Sequence, residues 1–157
     1  MGNIILKAMF AGGCFWHIED SFSKLEGVIS VMSGYSGGIS ENPNYESVCS
    51  DKTGHAEAVL IKFDSEKISY EKLLEKFWKI HNPTTLNQQG PDIGSQYRSA
   101  IFYFDKNQKK LAERSKELKE KELGEKIVTE IKMASKFYPA EDYHQKYFEK
   151  HKGANIC

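Results

Sequence analysis

The sequence predicts an α/β or α+β sandwich, in which helices pack on a sheet. Segments with the alternating pattern of strands take turns along the chain with segments whose apolar residues recur at helical spacing. The chain has 157 residues, of which 39% are hydrophobic and 28% charged, so one core can form without cross-links. We therefore expect a single domain over 1–157, with a flexible C-terminal tail at about 152–157.

Three strands and two helices are predicted in the first half of the chain. The strands are expected at 4–10, 28–32 and 57–63. Between the first two strands a helix closes at Gly27 and presents one apolar face, which consists of Phe15, Ile18, Phe22 and Leu25. Ser69 is a suitable N-cap for a helix through residue 80. The segment 34–45 is rich in Gly, Asn and Pro, which predicts a loop.

The second half begins with a long polar loop at 81–97. A loop of that length in a compact domain is usually functional or disordered, and its aromatic and amide residues favour function. A strand is expected at 99–104, a charged surface helix at 105–123 and a last strand at 127–133. Pro139 is then expected to open a short helix that runs to about residue 151.

Charge and hydropathy exclude several classes of function. Lys+Arg and Asp+Glu both total 22, and this balance argues against nucleic acid as the main partner. No apolar run approaches the length of a membrane span. The apolar N-terminal stretch contains Lys7 and lacks a preceding basic region, so it does not resemble a secretory signal. We therefore expect a cytoplasmic protein without nucleic-acid or membrane partners.

The three cysteines are Cys14, Cys49 and Cys157, an odd number that does not suggest a disulfide framework. Cys14 follows two glycines, which allow a tight turn, and it begins a predicted helix. The free N–H groups and partial positive charge of a helix N-terminus favour a thiolate. Cys14 is therefore a candidate nucleophile, although a buried structural cysteine is an equal alternative on this argument alone.

Glu57 stands out because the alternation of its strand places it on the same face as Val59, Ile61 and Phe63. A carboxylate on an apolar face is unfavourable unless it is protonated or hydrogen-bonded, and burial suits a general acid near neutral pH. As the first residue of the strand, Glu57 has the alternative of turning out to water.

Five segments then carry a family resemblance. They are Gly-Cys-Phe-Trp at 13–16, Gly-Tyr-Ser-Gly-Gly at 34–38, Thr-Gly-His-Ala-Glu-Ala-Val at 53–59, the loop 83–99, and Phe-Tyr-Pro-Ala-Glu-Asp-Tyr-His-Gln at 137–145. In this order and spacing they resemble the peptide methionine sulfoxide reductase A family over nearly the whole chain. The resemblance implies an α+β fold, a two-layer sandwich around a mixed sheet in the ferredoxin-like arrangement, and a single catalytic domain.

The resemblance also implies a role for each matching residue. Cys14 corresponds to the nucleophile that attacks the sulfoxide sulfur, and Glu57 to the acid that protonates the oxygen. The remaining residues fall into two groups, hydroxyl donors to that oxygen and contacts to the substrate: Tyr45 and Tyr97 are the donors, Phe15 and Trp16 form the methyl pocket, and Asp92 binds the substrate main chain. Substrates would be methionine S-sulfoxide, free or in proteins, with thioredoxin as reductant and with neither cofactor nor metal ion.

Attack on the sulfoxide leaves a sulfenic acid on Cys14, which a second thiol can resolve. Cys157 is the stronger candidate because it ends a short tail of small residues, whereas Cys49 resembles an ordinary cysteine of the family. The sequence departs from the family pattern at three positions, none with a catalytic role: His17 replaces Gly, Asn82 replaces Asp, and Gln88 replaces Arg.

Three other functions are compatible with parts of the sequence. A thiol peroxidase would commonly need an Arg near the thiolate, but Arg98 and Arg114 lie outside the Cys14 segment. A zinc-binding module could use Cys14 and His17, but no second closely spaced pair follows. A cysteine hydrolase would need a base, for which the candidates are His55, His81 and His144, without any local signature.

Overall fold

The computed structural model describes residues 4–38, 43–49, 54–141 and 145. Twelve helices and strands, and a 3-10 turn at Ser95–Tyr97, lie within these ranges. In chain order they are β1 (Ile5–Ala11), α1 (Phe15–Ser23), β2 (Val28–Ser36), α2 (Tyr45–Cys49), β3 (Ala56–Asp64), α3 (Tyr70–Ile80), β4 (Gln88–Gln89), β5 (Asp92–Ile93), β6 (Ala100–Tyr103), α4 (Lys106–Leu123), β7 (Glu130–Met133) and β8 (Tyr138–Pro139). None of the helices in these ranges has the length and apolar character that a bilayer crossing requires.

Six strands form one sheet in the order β7-β6-β1-β3-β2-β8. The β6–β7 pair is parallel and the other pairs are antiparallel, so the sheet is mixed. Strands β4 and β5 form a separate small hairpin. The expected α+β fold with a mixed sheet is therefore confirmed.

The helices pack on one face of the sheet around Phe10 of β1. The Phe10 ring stacks on Phe22 of α1 at 5.4 Å, on Phe77 of α3 at 4.9 Å and on Tyr70 at 6.0 Å between ring centroids. The opposite face carries a second, smaller apolar cluster that includes Met9, Ala58 and Phe102. Because β1 and β3 lie at the centre of the sheet, the residues at their ends are held between two apolar layers.

The glycine-rich segment after residue 34 was assigned wrongly to a loop in its first part. Strand β2 continues to Ser36, and Gly34 lies opposite Pro139 in the added edge strand β8. A Cβ on Gly34 would come 2.3 Å from the Phe137 ring, so glycine here allows β8 to approach closely. The unpredicted helix α2 begins at Tyr45, the last residue of the segment, and its N-cap is Asn44, whose Oδ1 accepts from Ser47 N at 2.8 Å.

Two predictions near the C-terminus also differ from the structure. Pro139 lies in strand β8 instead of opening a helix, because an edge strand tolerates a residue without an N–H. The last predicted strand is shorter and spans Glu130–Met133. Residues 142–144 and 146–151 of the expected helix, and the tail at 152–157 with Cys157, lie outside the described residues.

Candidate active site

Cys14 lies in the turn between β1 and α1, at the N-cap of the helix. Its carbonyl oxygen accepts from His17 N at 3.2 Å and from Ile18 N at 3.3 Å, so the first turn of α1 closes directly on it. Gly13 has a φ of +97°, and a Cβ there would come 2.9 Å from Gln89 Cγ. A side chain at position 13 is therefore excluded both by the backbone conformation and by the loop packed against the turn.

The Cys14 side chain is partly exposed and is disulfide-bonded in the structure. The chain has two other cysteines, Cys49 and Cys157, whose side chains are outside the described part of the molecule. A thiol at the N-terminus of a helix has the electrostatic environment expected of a reactive cysteine.

Glu57 brings a carboxyl group to the same helix N-terminus. It lies in β3 with 1% of its surface exposed, and its Oε1 accepts a hydrogen bond from the N–H of Phe15 at 3.3 Å. The alternative in which Glu57 turns out to water is therefore wrong. Its Oε2 is buried and accepts no hydrogen bond from the described residues.

The environment of Glu57 favours the protonated carboxyl. Burial, with a smaller contribution from the charge of Asp92, raises the pKa of Glu57 from an ordinary 4.5 to about 8, against the lowering effect of the Phe15 N–H. Glu57 is thus mostly a neutral acid at pH 7, and its hydrogen bond joins it to Phe15, the residue that follows Cys14. A buried neutral acid beside a thiol is suited to proton donation.

An aromatic wall adjoins Cys14. Phe15 is fully buried, whereas the next residue, Trp16, is partly exposed. The ring of Tyr45 stacks on Phe15 at 6.4 Å and on Trp16 at 6.2 Å between centroids, and Tyr35 packs on Phe15 at 5.6 Å. These rings offer a small apolar surface with hydroxyl groups nearby.

The loop 81–97 packs against the other side of the Cys14 turn. Gln89, the residue that abuts Gly13, is joined to Asn82 by two hydrogen bonds: its Oε1 accepts from Asn82 N at 2.8 Å, and its Nε2 donates to Asn82 O at 2.6 Å. Gln89 pairs with Asp92 across the β4–β5 hairpin, and Tyr97 ends the 3-10 turn that follows. The loop thus brings Asp92 close enough to Glu57 for their charges to interact.

The two amides that depart from the family pattern both stabilise this loop. Asn82 Oδ1 accepts from Thr84 N at 2.9 Å and from Thr84 Oγ1 at 2.6 Å. Gln88 Nε2 donates to the carbonyl of Gly90 at 3.1 Å. An amide oxygen at 82 therefore accepts both hydrogen bonds without a carboxylate. The third departure, His17, is exposed on α1.

His81, which the sequence offered only as a candidate base of a hydrolase, lies behind the Cys14 turn. Its Nδ1 is 2.6 Å from Phe77 O, which can only accept, so Nδ1 carries the proton and Nε2 accepts from Ser99 Oγ at 2.7 Å. Burial lowers the pKa of His81 to about 4, so the ring is neutral at physiological pH. A Cβ on Gly12 would come 3.0 Å from the His81 ring, which therefore packs directly under the turn.

These contacts bear on the alternative functions. Both ring nitrogens of His81 are occupied, and His55 Nδ1 accepts from Gly38 N at 3.0 Å, whereas the base of a hydrolase would direct a ring nitrogen at the thiol. Arg98 is ion-paired with Glu130 at 3.0 Å and donates to the carbonyls of Ser95 and Gly37, so its guanidinium does not serve the thiolate as a peroxidase would require. Within the described ranges, no three His, Cys, Asp or Glu side chains are grouped as metal ligands.

The fold and the site together define a thiol-based α+β enzyme. The cysteine and a buried proton donor meet at the N-terminus of α1, beside an aromatic wall. The family model described as peptide methionine sulfoxide reductase matches residues 6–157. The chain belongs to this family.

Similar proteins agree with this assignment. The peptide methionine sulfoxide reductase MsrA of Methanosarcina acetivorans is 56% identical over 95% of this chain and 80% of its own length, and that of Sulfolobus acidocaldarius is 53% identical over 96% and 85%. Among solved structures, Mxr1 from Saccharomyces cerevisiae in reduced form has a TM-score of 0.92 at 34% identity and covers 98% of this chain and 89% of its own. Methionine sulfoxide reductase A of Corynebacterium diphtheriae has a TM-score of 0.87 at 33% identity, with 98% and 77% covered.

Proposed function

We propose that this enzyme reduces the S epimer of methionine sulfoxide, free or in proteins, to methionine, with Cys14 as the nucleophile. The observation that carries the proposal is the position of Glu57 at the start of α1, where its Oε1 accepts from the N–H of Phe15, the residue after Cys14. Nucleophile and acid therefore face a common space, as a reaction at a sulfoxide requires. The Cys14 thiolate attacks the sulfur while the oxygen takes up a proton.

The acid is needed because a sulfoxide oxygen leaves poorly unless it is protonated. Glu57 supplies that proton, and the hydroxyl groups of Tyr45 and Tyr97 donate hydrogen bonds to the same oxygen. In the step as a whole, the oxygen moves from the substrate to Cys14, the sulfoxide is reduced to methionine, and the Cys14 thiol is oxidised to a sulfenic acid. Electrons and atoms balance without a cofactor or metal ion.

Substrate recognition uses the aromatic wall and the loop. Phe15 and Trp16 contact the methyl group of the sulfoxide. Because this group is small and apolar, aromatic rings can bind it without hydrogen bonds. Asp92 binds the main chain of the substrate from the β4–β5 hairpin. The interaction of Asp92 with Glu57 supports this placement, because it sets the two carboxyl groups at the same site.

Recycling uses a second thiol, for which Cys157 is our choice over Cys49. The thiol of Cys157 attacks the Cys14 sulfenic acid, water leaves, and a disulfide forms. The disulfide on Cys14 in this structure supports a step of this kind. Thioredoxin then reduces the disulfide through its own dithiol.

Changing Cys157 to Ser should separate the two halves of the reaction. We expect Cys157→Ser to retain one turnover per enzyme at the parent rate and to lose steady-state cycling with thioredoxin, with partial rescue by dithiothreitol. Mass spectrometry of the parent after one equivalent of substrate should show a Cys14–Cys157 disulfide. The matched variant Cys49→Ser should cycle normally. A Cys14–Cys49 bridge, or full cycling of Cys157→Ser, would assign the resolving thiol elsewhere.

We also infer the type of fold and the cellular location. Strands β6-β1-β3-β2, with α1 and α3 as crossovers, follow the order of a β-α-β-β-α-β unit, which supports the ferredoxin-like description of the single catalytic domain. A cytoplasmic location is our inference from the sequence and is consistent with a thiol chemistry that depends on reducing partners.

Turnover of the separate sulfoxide epimers tests the proposed function. The substrate is methionine sulfoxide with blocked amino and carboxyl groups, and dithiothreitol is the reductant. We expect the S epimer to be reduced and the R epimer to be reduced no faster than in the enzyme-free control. Hydrogen peroxide serves as the comparison for the peroxidase alternative. Equal reduction of both epimers, or faster consumption of peroxide than of the S epimer, would contradict the proposal.

A further inference from the structure

Glu141 links β2 and α2, two elements that contribute rings to the aromatic wall, through hydrogen bonds to its carboxylate. It lies two residues after the end of β8, and its two carboxylate oxygens accept from two different elements. Oε1 accepts from the hydroxyl of Tyr35 in β2 at 3.1 Å, and Oε2 accepts from the backbone N of Tyr45 in α2 at 3.2 Å. Tyr35 is fully buried, so one of these bonds is anchored inside the core.

The residues on both sides of Glu141 are hydrogen-bonded to β2. Before it, Ala140 N donates to Ser33 O at 2.9 Å. After it, the Gln145 amide binds the same residue in the manner of a neighbouring strand: Oε1 accepts from Ser33 N at 2.9 Å and Nε2 donates to Ser33 O at 2.8 Å. The backbone on either side of Glu141 is therefore held against β2. The hydrogen bond from Tyr45 N to the Glu141 carboxylate thus ties Tyr45 to the sheet.

Tyr45 is the residue that most needs such support. It is the first residue of α2, a helix of five residues, and a helix this short has little stability of its own. Its ring completes the wall with Phe15 and Trp16. A displacement of about 1 Å at a residue that orients the reacting group can cost up to about a hundredfold in rate.

We propose that Glu141 is a positioning residue for the reductase reaction, which fixes Tyr45 and so sets the place of its hydroxyl beside Cys14. This inference rests on the proposed function, since it assigns Tyr45 to the sulfoxide oxygen. A carboxylate suits the role because both partners, an O–H and an N–H, are donors and a carboxylate only accepts. Glutamine would present an N–H₂ group to one of the two donors.

The test compares Glu141→Gln in two backgrounds by single-turnover rates with enzyme in excess. In the parent, we expect Glu141→Gln to slow reduction of methionine S-sulfoxide at least about tenfold, by displacing Tyr45. In the Tyr45→Ala background, where no ring or hydroxyl is left to position, the same change should alter the rate by less than about twofold. Glu46→Gln, an exposed acid on the same helix, is the matched control and should leave the rate unchanged.

Two further results separate positioning from a general loss of structure. Tyr35→Phe keeps the Glu141–Tyr45 bond but removes the hydrogen bond from residue 35 to Oε1. It should therefore give a smaller loss than Glu141→Gln, and this loss should also disappear in the Tyr45→Ala background. This variant decides the question if Glu141→Gln does not fold. Equal fold-losses in both backgrounds would overturn the proposal. They would leave the Cys14 and Glu57 assignments standing, whereas residual activity in a Cys14→Ser variant would overturn the proposed mechanism itself.

Discussion

Changing Cys14 to Ser should abolish reduction of methionine sulfoxide, with a loss on the order of 10⁴-fold or more in the single-turnover rate. The reason is that a serine hydroxyl is not ionised at neutral pH, and among the described residues neither Glu57 nor His81 is suited to activate it as a base. Glu57 is mostly protonated at pH 7, and the ring nitrogens of His81 are occupied. The partial positive charge at the start of α1 favours a thiolate but is too weak to ionise an alcohol.

The loss should not depend on the reductant, because the step that Cys14 performs precedes any reduction of the enzyme. Rapid-quench measurement of methionine formed per enzyme, without added thiol, gives the cleanest comparison. Cys49→Ser and Cys157→Ser are matched controls that remove a thiol from the same chain, and both should form one methionine at the parent rate. Substantial methionine formation by Cys14→Ser would show that another group is the nucleophile.

The local patterns of the sequence predicted the central part of the fold. The helix faces, the Ser69 cap and the alternation of β3 depend on residues a few positions apart, and the structure has them where they were expected, with one exception. Helix α1 ends at Ser23 with Lys24 as its C-cap, so it stops before Leu25 and before Gly27, which was expected to close it. Gly34 and Pro139 misled the assignment because each was judged by its local preference, Gly34 for a loop and Pro139 for the first turn of a helix. In the structure both residues take part in the β2–β8 pairing. That pairing joins residues more than 100 positions apart, which no local pattern records.

The same limit explains which residues of the candidate site could be proposed from the sequence. Cys14 and Glu57 stand out locally, as a cysteine after two glycines at a predicted helix start and as an acid on an apolar face. Glu141 breaks no rule in its own segment, and its importance comes from Tyr35 and Tyr45, which reach it from other elements. His81 likewise carries an ordinary polar pattern, and only its packing under Gly12 relates it to Cys14.

Glu57→Gln should produce the second large effect, on the chemical step and on its pH dependence. An amide is nearly isosteric with the protonated carboxyl but cannot deliver a proton, so the single-turnover rate at pH 7 should fall about 10²- to 10⁴-fold while substrate still binds. Tyr45→Phe and Tyr97→Phe should each cost less, because the other hydroxyl remains. If Glu57→Gln retains the full single-turnover rate at neutral pH, Glu57 is not the acid.

The pH profile follows from the raised pKa of Glu57. The reaction needs the protonated carboxyl, whose fraction declines as the pH rises through about 8. We therefore expect the parent single-turnover rate to fall about tenfold for each pH unit well above that value. This descending limb should be absent from Glu57→Gln, whereas the exposed-acid variant Glu46→Gln should keep it.

The pH dependence of protein stability gives an independent measurement of the pKa of Glu57. Between pH 4.5 and about 8 the unfolded chain has an ionised Glu57 while the folded protein holds it protonated, so the folded state binds more protons. The free energy of unfolding of the parent should therefore decrease with rising pH in this window, relative to Glu57→Gln, by up to about 1.4 kcal/mol per pH unit. Urea titrations of both proteins at pH 5, 6, 7 and 8 would give this difference. Parallel stability profiles would mean that Glu57 is already ionised in the folded protein, and a carboxylate at that position has no proton to give the sulfoxide.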